Sequence, residues 1–198
     1  MFSPSSISIY HLATLTLASI AITMNAHATP EKTIFDFRAA TNLPTWQVVN
    51  DDVMGGVSSS RFELLTTGGA VFSGVVSLEN NGGFASVRSS PLSENLSGLD
   101  AFVLRVRGDG RRYKFTVRSE AGFDAPVYQA SFTTKRGEWE DHRISFKEFV
   151  PTFRGRVLTG VPPLNSSKIA LVGVLISDKQ EGSFRLEISW IKAFPTPP

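Results

Sequence analysis

Short hydrophobic stretches with alternating polar positions fill the chain from Ile34 onward, and clusters of Gly, Asn, Asp, Ser and Pro separate them. Alternation with a period of two residues is typical of β-strands, and no long stretch has the spacing of an amphipathic helix. The pattern predicts strands at 34–38, 46–49, 61–65, 70–78, 83–88, 101–107, 112–119, 127–133, 139–145, 168–177 and 183–193. Many short strands in a chain of this length predict an all-β fold, an antiparallel β-sandwich or jelly roll.

The same alternation predicts which residues face the core. In the last strand, four alternating residues should share the buried face, namely Phe184, Leu186, Ile188 and Trp190. Residues 169–176 are nearly continuously apolar, as expected of a strand that is covered on both sides. One helical turn is predicted at 145–149, and residues 150–167 form a connection rich in Pro and Gly.

A hairpin is predicted where Asp109 and Gly110 separate two alternating stretches, because Asp-Gly in this context is a strong turn signal. The resulting register places basic side chains together on the face opposite the core: Arg105, Arg107, Arg112 and Lys114, with Arg118 further along. Like charges directly opposite each other are destabilising by about 0.2–1 kcal/mol per pair. Two interpretations follow. Either carboxylates of neighbouring strands, such as Glu187, balance the charge, or the surface recognises acidic side chains, lipid head groups or acidic sugars.

Polar residues also cluster in the predicted loops, where Asn and Asp can bond to their own backbone and glycines permit positive φ or close approach. Asp51 or Asp52 is expected to pair with Arg88 if the loops within 49–58 and 78–88 meet. These clusters either only shape the loops or gather at one rim to bind a ligand or partner. The candidate binding residues are Asn50, Asp51, Asp52, Asn81, Arg88, Arg105, Arg107, Arg112, Lys114, Asp178 and Lys179.

The N-terminal residues have the character of an export signal. Residues 12–24 are apolar and uncharged, and Ala26 and Ala28 form the small-x-small pattern that signal peptidases accept, although no Lys or Arg precedes them. We therefore predict a cleaved signal peptide at 1–28, a single domain at 29–194 and a Pro-rich tail at 195–198. This organisation predicts an exported location, periplasmic or secreted, with no integral membrane span. A membrane-tethering segment or a misassigned start are the alternatives.

Composition narrows the possible chemistry. The 198 residues carry a formal charge of +2 and no cysteine, so thiolate catalysis and cysteine-ligated metals are excluded and nucleic acid is not an expected partner. Only His142 lies beyond the predicted signal, and no catalytic residue, cofactor or metal is assigned. A calcium ion at 50–52 stays an open alternative, although the spacing does not match a calcium loop.

Four loop motifs together resemble one known family. They are VNDDVMGGVS (49–58), LENNGGFASVR (78–88), RGDGRRY (107–113) and ISDKQEGSF (176–184). Their order and spacing resemble the NADH:ubiquinone oxidoreductase complex I intermediate-associated protein 30 family over about 34–194. The opening Phe35-Asp36-Phe37, Trp46 and the segment 153–156 fit the same resemblance.

The resemblance implies a galactose-binding-like β-sandwich and a role without catalytic residues. Mitochondrial members of that family are assembly factors that accompany membrane-arm intermediates of complex I. We therefore expect a non-enzymatic binding domain, an assembly factor whose partner is a protein, such as a subunit of a membrane respiratory complex. The alternative is a carbohydrate- or small-ligand-binding module of the cell envelope, for which Trp46, Trp139 and Phe123 are the aromatic candidates. An enzyme is the third possibility.

Overall fold

The computed structural model describes residues 30–39, 46–119 and 125–196, which form two antiparallel sheets packed face to face. The strands are β1 (Lys32–Asp36), β2 (Trp46–Asn50), β3 (Ser59–Leu64), β4 (Ala70–Val76), β5 (Ala85–Ser89), β6 (Ala101–Arg107), β7 (Arg112–Arg118), β8 (Val127–Thr133), β9 (Trp139–Ser145), β10 (Val150–Phe153), β11 (Arg156–Val157), β12 (Leu171–Ile176) and β13 (Gly182–Phe194). The predicted signal peptide at 1–28 lies outside the described residues, so the boundary between it and the domain at 29–194 stays a prediction. Phe123 also lies outside the described residues.

The strand order defines a β-sandwich. Sheet A has the order β3-β4-β13-β6-β9, with β1 also paired to β13, and sheet B has the order β11-β10-β8-β7-β12-β5-β2. The predicted fold class, an all-β antiparallel sandwich, is confirmed. Each predicted strand is present with its ends shifted by a few residues. The short strands β10 and β11 lie in the connection at 150–167, where the sequence predicted none.

The core lies between the two sheets and is made of the alternating apolar residues that the pattern indicates. Phe102, Leu104 and Val106 of β6 are completely buried, as are Phe115 and other apolar residues of β7. The rings of Phe102 and Phe115 meet across the sheets, with their centroids 5.0 Å apart and edge to face. Burying a side chain of this size contributes about 1.5–3 kcal/mol, so these contacts are a main source of stability.

The predicted hairpin between β6 and β7 is wrong. β6 pairs with β13 and β9 in sheet A, whereas β7 pairs with β8 and β12 in sheet B, so the chain crosses from one sheet to the other at Asp109. The carboxylate of Asp109 accepts hydrogen bonds from the backbone N–H of Arg111 at 3.1 Å and of Arg185 at 2.9 Å. The bond to Arg185 attaches the segment that crosses between the sheets to β13. Alternation did not reveal it because both strands turn their apolar faces to the same core.

A β-bulge in β13 corrects a second prediction. The register to β6 shifts between Ile188 and Trp190, so that Ile188 and Ile191 are buried while Trp190 lies on the outer face of sheet A. The ammonium of Lys192 lies 5.2 Å from the centroid of the Trp190 ring on that face. The prediction that Trp190 faces the core is therefore wrong. One extra residue in a strand exchanges the faces of all the residues that follow it.

The predicted helical turn is present as a short 3₁₀ helix at Phe146–Glu148. Ser145 caps it, because its hydroxyl accepts from the Lys147 N–H while Glu148 accepts from the Ser145 N–H. This reciprocal arrangement satisfies two backbone donors that the helix itself leaves unpaired.

Candidate functional site

The predicted basic face is divided between the two sides of the sandwich. Arg105 and Arg107 lie on β6 and alternate with its buried residues, so they occupy the outer face of sheet A. Arg112 and Lys114 alternate in the same way on β7 and occupy the outer face of sheet B. The expectation that the four side chains form one surface is wrong. The reason is the crossing at Asp109, which sends β7 into the other sheet.

Carboxylates lie beside all four of these cations. Arg105 donates to Asp141 on the adjacent strand β9 at 2.9 Å, and Arg107 pairs with Glu187 on β13. On sheet B, Asp178 accepts from Arg112 at 3.0 Å and from Lys114 at 2.7 Å. These contacts are the charge-balancing arrangement that the first of the two interpretations describes, and Glu187 is the carboxylate that it named.

Asp178 is the second residue of the loop between β12 and β13. Partial burial raises the pKa of its carboxyl group, but the hydrogen bond and the positive charge of Lys114, together with the charge of Arg112, outweigh this and hold the pKa below its usual value. Asp178 and Lys179 both have positive φ, at 62° and 57°. Lys179 is exposed and makes no side-chain hydrogen bond or ion pair within the described ranges.

Asp51 connects the loop that follows β2 with the loop that precedes β5. It is only 1% exposed, and its carboxylate accepts from the Ser58 N–H at 2.9 Å, the Ser58 hydroxyl at 2.5 Å and the Gly83 and Phe84 N–H groups at 2.7 and 3.2 Å. Burial raises the pKa of this carboxyl group, but the hydrogen bonds lower it by more, so the pKa lies below its usual value. Asp51 therefore holds the two loops together.

The expected pairing of Asp51 or Asp52 with Arg88 does not occur. Arg88 donates from Nε and Nη2 to the side-chain oxygen of Gln47, at 3.1 and 2.8 Å, on the neighbouring strand β2. Asp52 is exposed, and Asn50 accepts from the Ser60 hydroxyl at 2.6 Å. The loops do meet, but through the Asp51 carboxylate and backbone N–H groups rather than through an arginine.

Two glycines allow this close approach to Asp51. A Cβ atom at Gly56 would lie 2.4 Å from Cγ of Asp51, and one at Gly82 would lie 2.6 Å from its Oδ2. The adjacent Gly55 and Gly83 have positive φ, at 88° and 130°, where glycine is favoured. Asn81 also has positive φ, at 59°, and is exposed. The Gly-Gly pairs of the two motifs therefore each combine one turn position with one close contact.

The outer face of sheet B carries two further cations, one on β5 and one at the end of β7. Arg88 of β5 lies opposite Gly173 of β12, and Arg118 of β7 lies opposite Leu171 of the same strand. Burial lowers the pKa of both guanidinium groups, and the positive charge of Arg88 lowers the pKa of Arg118 further. By register, the described residues on this face include no aromatic side chain, and its cations lie among apolar residues such as Val49 and Leu175.

A small pocket opens on sheet A, where β6 ends. It has a volume of about 280 Å³, and its lining residues are Arg107, Gly108, Asp109, Arg136, Gly137, Arg185 and Glu187. Glu187 is only 7% exposed. One of its oxygens accepts from Nε and Nη2 of Arg107 at 3.1 and 2.5 Å, and the other accepts from Nε and Nη2 of Arg185 at 3.1 and 2.9 Å. The buried carboxylate thus fixes two guanidinium groups.

The turn after β8 contributes the third arginine of this pocket. Gly137 donates from its N–H to the Gly108 carbonyl at 2.8 Å, which attaches the turn to the end of β6 and brings Arg136 beside the pocket. Sequence reasoning missed Arg136 and Arg185 as site residues. The alternation of Arg185 with Phe184 indicated an outward position, but nothing in the sequence indicated that Arg136 would lie beside it.

Trp139, the first residue of β9, lies next to Arg107 of the pocket. Its side chain is 36% exposed, and the Arg107 guanidinium lies 5.0 Å from the ring centroid. A guanidinium at this distance from an indole makes a favourable cation–π contact. Trp190 lies on the same outer face, opposite Arg105. Sheet A therefore presents tryptophan and arginine side chains together.

The described residues offer little for metal or acid–base chemistry. Among them, no group of three or more His, Cys, Asp and Glu side chains could hold a metal ion. His142 lies against the Phe132 ring, with centroids 5.0 Å apart, and its Nε2 lies 3.6 Å from Glu140. Within the same part of the chain, no helix combines the length and apolar character needed to cross a membrane.

The fold is that of known carbohydrate-binding β-sandwiches. The Family 11 carbohydrate-binding module of a cellulosomal cellulase from Clostridium thermocellum superposes with a TM-score of 0.62, covering 85% of this chain and 96% of that one at 17% identity. An agarase superposes with a TM-score of 0.59, covering 85% of this chain and 25% of that one at 12% identity. At these identities the likeness defines the class of fold, a galactose-binding-like sandwich, and nothing about ligands.

Sequence comparison identifies the family. A family model for complex I intermediate-associated protein 30 matches residues 35–188, and this chain belongs to that family. The mouse protein named mitochondrial complex I intermediate-associated protein 30 is 30% identical over 84% of this chain and 57% of its own length. The Drosophila melanogaster protein of the same name is 29% identical over 80% of this chain and 61% of its own. The chain thus spans less than two thirds of these relatives.

The predicted exported location is wrong. The relatives from mouse, Drosophila melanogaster, Caenorhabditis elegans and Neurospora crassa are all named as mitochondrial proteins. The prediction depended on an apolar stretch followed by small residues. That pattern is short, and here it lacks the basic residues that usually precede the apolar part of an export signal.

Proposed function

We propose that this chain is a non-enzymatic binding domain that assists the assembly of a membrane respiratory complex of the complex I type by holding a protein partner. The observation that carries the proposal is the family match, which runs from β1 into β13 and so includes nearly the whole sandwich. The relatives are named as proteins associated with complex I intermediates, and their names indicate no enzyme.

The outer face of sheet A supports binding to a protein. It combines the part-exposed Trp139 and Trp190 with arginines on the same strands or on adjacent ones. Tryptophan and arginine are enriched among the residues that contribute most to protein–protein binding, because they bury a large area and also make directional polar contacts. Partner recognition through this face needs no bound metal or catalytic group.

Sugar binding has less support from the aromatic residues. Trp46 packs among core rings, with its centroid 4.8 Å from that of Phe62 and 5.0 Å from that of Phe35. Trp139 is exposed, but the Arg107 guanidinium lies over its ring. Phe123 lies outside the described residues. Sugar-binding surfaces usually offer open aromatic rings for stacking, so these positions favour a protein partner over a carbohydrate.

Crosslinking followed by affinity purification tests the proposal. The full chain would carry a C-terminal tag in its own cells, and native gels would separate the crosslinked complexes before mass spectrometry. We expect NADH:ubiquinone oxidoreductase subunits to be recovered with the chain in complexes smaller than the complete enzyme. Cells with the untagged chain provide the background. Recovery of the chain without any respiratory subunit would contradict the proposal.

A further inference from the structure

The pocket at the end of β6 has an excess of positive charge. Three guanidinium groups line it, from Arg107, Arg136 and Arg185, against the two carboxylates of Asp109 and Glu187. Asp109 is also 3.8 Å from the guanidinium of Arg111, which lies outside the lining. The carboxylates therefore leave part of the positive charge of the pocket unbalanced, which favours an anionic ligand.

Hydrogen-bond donors remain available on these arginines. Each guanidinium has five N–H donors in a fixed plane. Arg107 and Arg185 each direct Nε and Nη2 to Glu187, so the Nη1 donors of both have no partner within the described part of the chain. Arg136 is exposed, and across the described residues its side chain makes no hydrogen bond or ion pair.

The buried Glu187 also lowers the cost of binding. Ordering a long side chain at an interface costs about 0.5–1.5 kcal/mol. Arg107 and Arg185 are already held on Glu187 in the unbound protein, and the Trp139 ring packs against Arg107. Only Arg136 has to be ordered when a ligand enters, so this is a preorganised site rather than a chance group of surface charges.

The size of the pocket limits the ligand. Pockets for drug-sized ligands and cofactors usually have volumes of about 300–1,000 Å³. This pocket has a volume of about 280 Å³, and Gly108 and Gly137 contribute no side chain to it. Trp139, which is 36% exposed next to the pocket, offers apolar area for the rest of a polypeptide. A single carboxylate-bearing side chain with its neighbouring backbone fits this arrangement.

We propose that this arginine pocket binds an aspartate or glutamate side chain of the protein partner, with Arg136, Arg107 and Arg185 as the recognising groups. The proposal rests on the proposed function, since it specifies how that partner is held. A guanidinium binds a carboxylate through two parallel N–H···O bonds, which gives both strength and direction. Phosphate groups share this chemistry, so the test has to separate the two anions.

The test uses the full chain and a matched pair of variants. Arg136→Glu reverses the charge of the pocket without breaking any contact in the described part of the structure. Arg156→Glu is the control, because Arg156 is also exposed and without a side-chain bond there, but it lies on β11 in the other sheet. ¹⁵N NMR spectra would be recorded while the blocked peptide Ac-Gly-Glu-Glu-Gly-NH₂, and separately inorganic phosphate, is added.

We expect the peptide to shift the Nε–H signals of Arg107 and Arg185 in a saturable manner. Arg136→Glu should weaken this binding at least about tenfold, and Arg156→Glu should leave it unchanged. Shifts with phosphate but none with the peptide would overturn the proposal, because the anion would then be a phosphate. Peptide shifts that are absent, or equal in Arg136→Glu and the unchanged chain, would overturn it as well.

The experiments distinguish failure of the pocket proposal from failure of the proposed function. If the unchanged chain recovers respiratory subunits and Arg136→Glu recovers the same amount, the pocket proposal fails and the assembly role stands. If the peptide binds in the Arg136-dependent manner but no respiratory subunit is recovered, the pocket binds carboxylates and the assembly role fails.

Discussion

Glu187 of β13 lies opposite Arg107 of β6, and one oxygen of the buried carboxylate accepts two hydrogen bonds from the guanidinium, at 3.1 and 2.5 Å. The other oxygen accepts two from Arg185. A carboxylate that is this buried requires charged partners, because burying an unpaired charge is costly. The same pairs hold two arginines in fixed positions at the proposed partner site.

Glu187→Gln should lower the free energy of unfolding by about 2 kcal/mol, since it removes the charge that balances two half-exposed arginines, weakens the two hydrogen bonds to the remaining oxygen and abolishes the two to the oxygen that becomes an amide donor. Urea unfolding at pH 7 measures this as a lower midpoint with an unchanged slope. Glu63→Gln is the control, because Glu63 pairs with Arg61 on the exposed surface of sheet A. It should cost less than about 0.5 kcal/mol. Equal losses for both variants would show that the burial of Glu187 has no effect.

Asp51→Asn should destabilise the fold by about 2 kcal/mol at neutral pH, because Asp51 accepts four hydrogen bonds as a buried carboxylate. The pKa of Asp51 is lower in the folded chain than in the unfolded one. Its contribution is therefore complete above about pH 4, the unfolded pKa, and is lost as the pH falls through the folded pKa. The stability difference between the two chains should shrink below about pH 4.

Unfolding midpoints between pH 7 and pH 2 would measure this difference. The other carboxylates titrate in both chains, so the difference isolates Asp51. Asp52→Asn, one residue further on and exposed, should behave like the unchanged chain at every pH. A difference for Asp51→Asn that stays constant down to pH 2 would show that the ionised form is not the one that holds the loops.

Arg105→Glu and Lys114→Glu should have additive effects on stability. The two residues lie on the outer faces of different sheets, which are separated by the core, and each pairs with its own carboxylate. A double-mutant cycle should therefore give a coupling energy within about 0.5 kcal/mol of zero. A two-residue hairpin at Asp109 would instead place these side chains opposite each other and give a coupling of up to about 1 kcal/mol. A coupling of that size would contradict the crossing between the sheets.

Most strands could be predicted from the sequence because they bury a single face, so alternation and turn residues mark them, whereas β12 was predicted from its continuous apolar run and is buried along nearly its whole length. The pairing of strands could not be predicted. Asp109 and Gly110 have the composition of a hairpin turn, yet the Asp109 carboxylate accepts hydrogen bonds from the Arg185 N–H and the Tyr113 hydroxyl, and these bonds accompany the passage of the chain into the other sheet. The apolar pattern is the same in both cases, because β6 and β7 face one core. Only the long-range partner of Asp109 distinguishes them.

The site shows the same division between local and long-range information. Glu187 was a candidate partner for the arginines because it alternates with core residues, and this is confirmed by its pair with Arg107. Trp190 was misplaced because a bulge leaves no clear mark in the alternation. Arg136 was missed because its turn docks on the end of β6 through a backbone contact between Gly137 and Gly108, which no side-chain pattern encodes.

The most direct test of the assembly role is to delete this chain from its own cells and quantify complete NADH:ubiquinone oxidoreductase on native gels. We expect the amount of complete enzyme to fall and smaller intermediates to accumulate. The unchanged chain and Arg156→Glu should restore it, and Arg136→Glu should restore it only in part. The same amount of complete enzyme with and without the chain would contradict the proposed function.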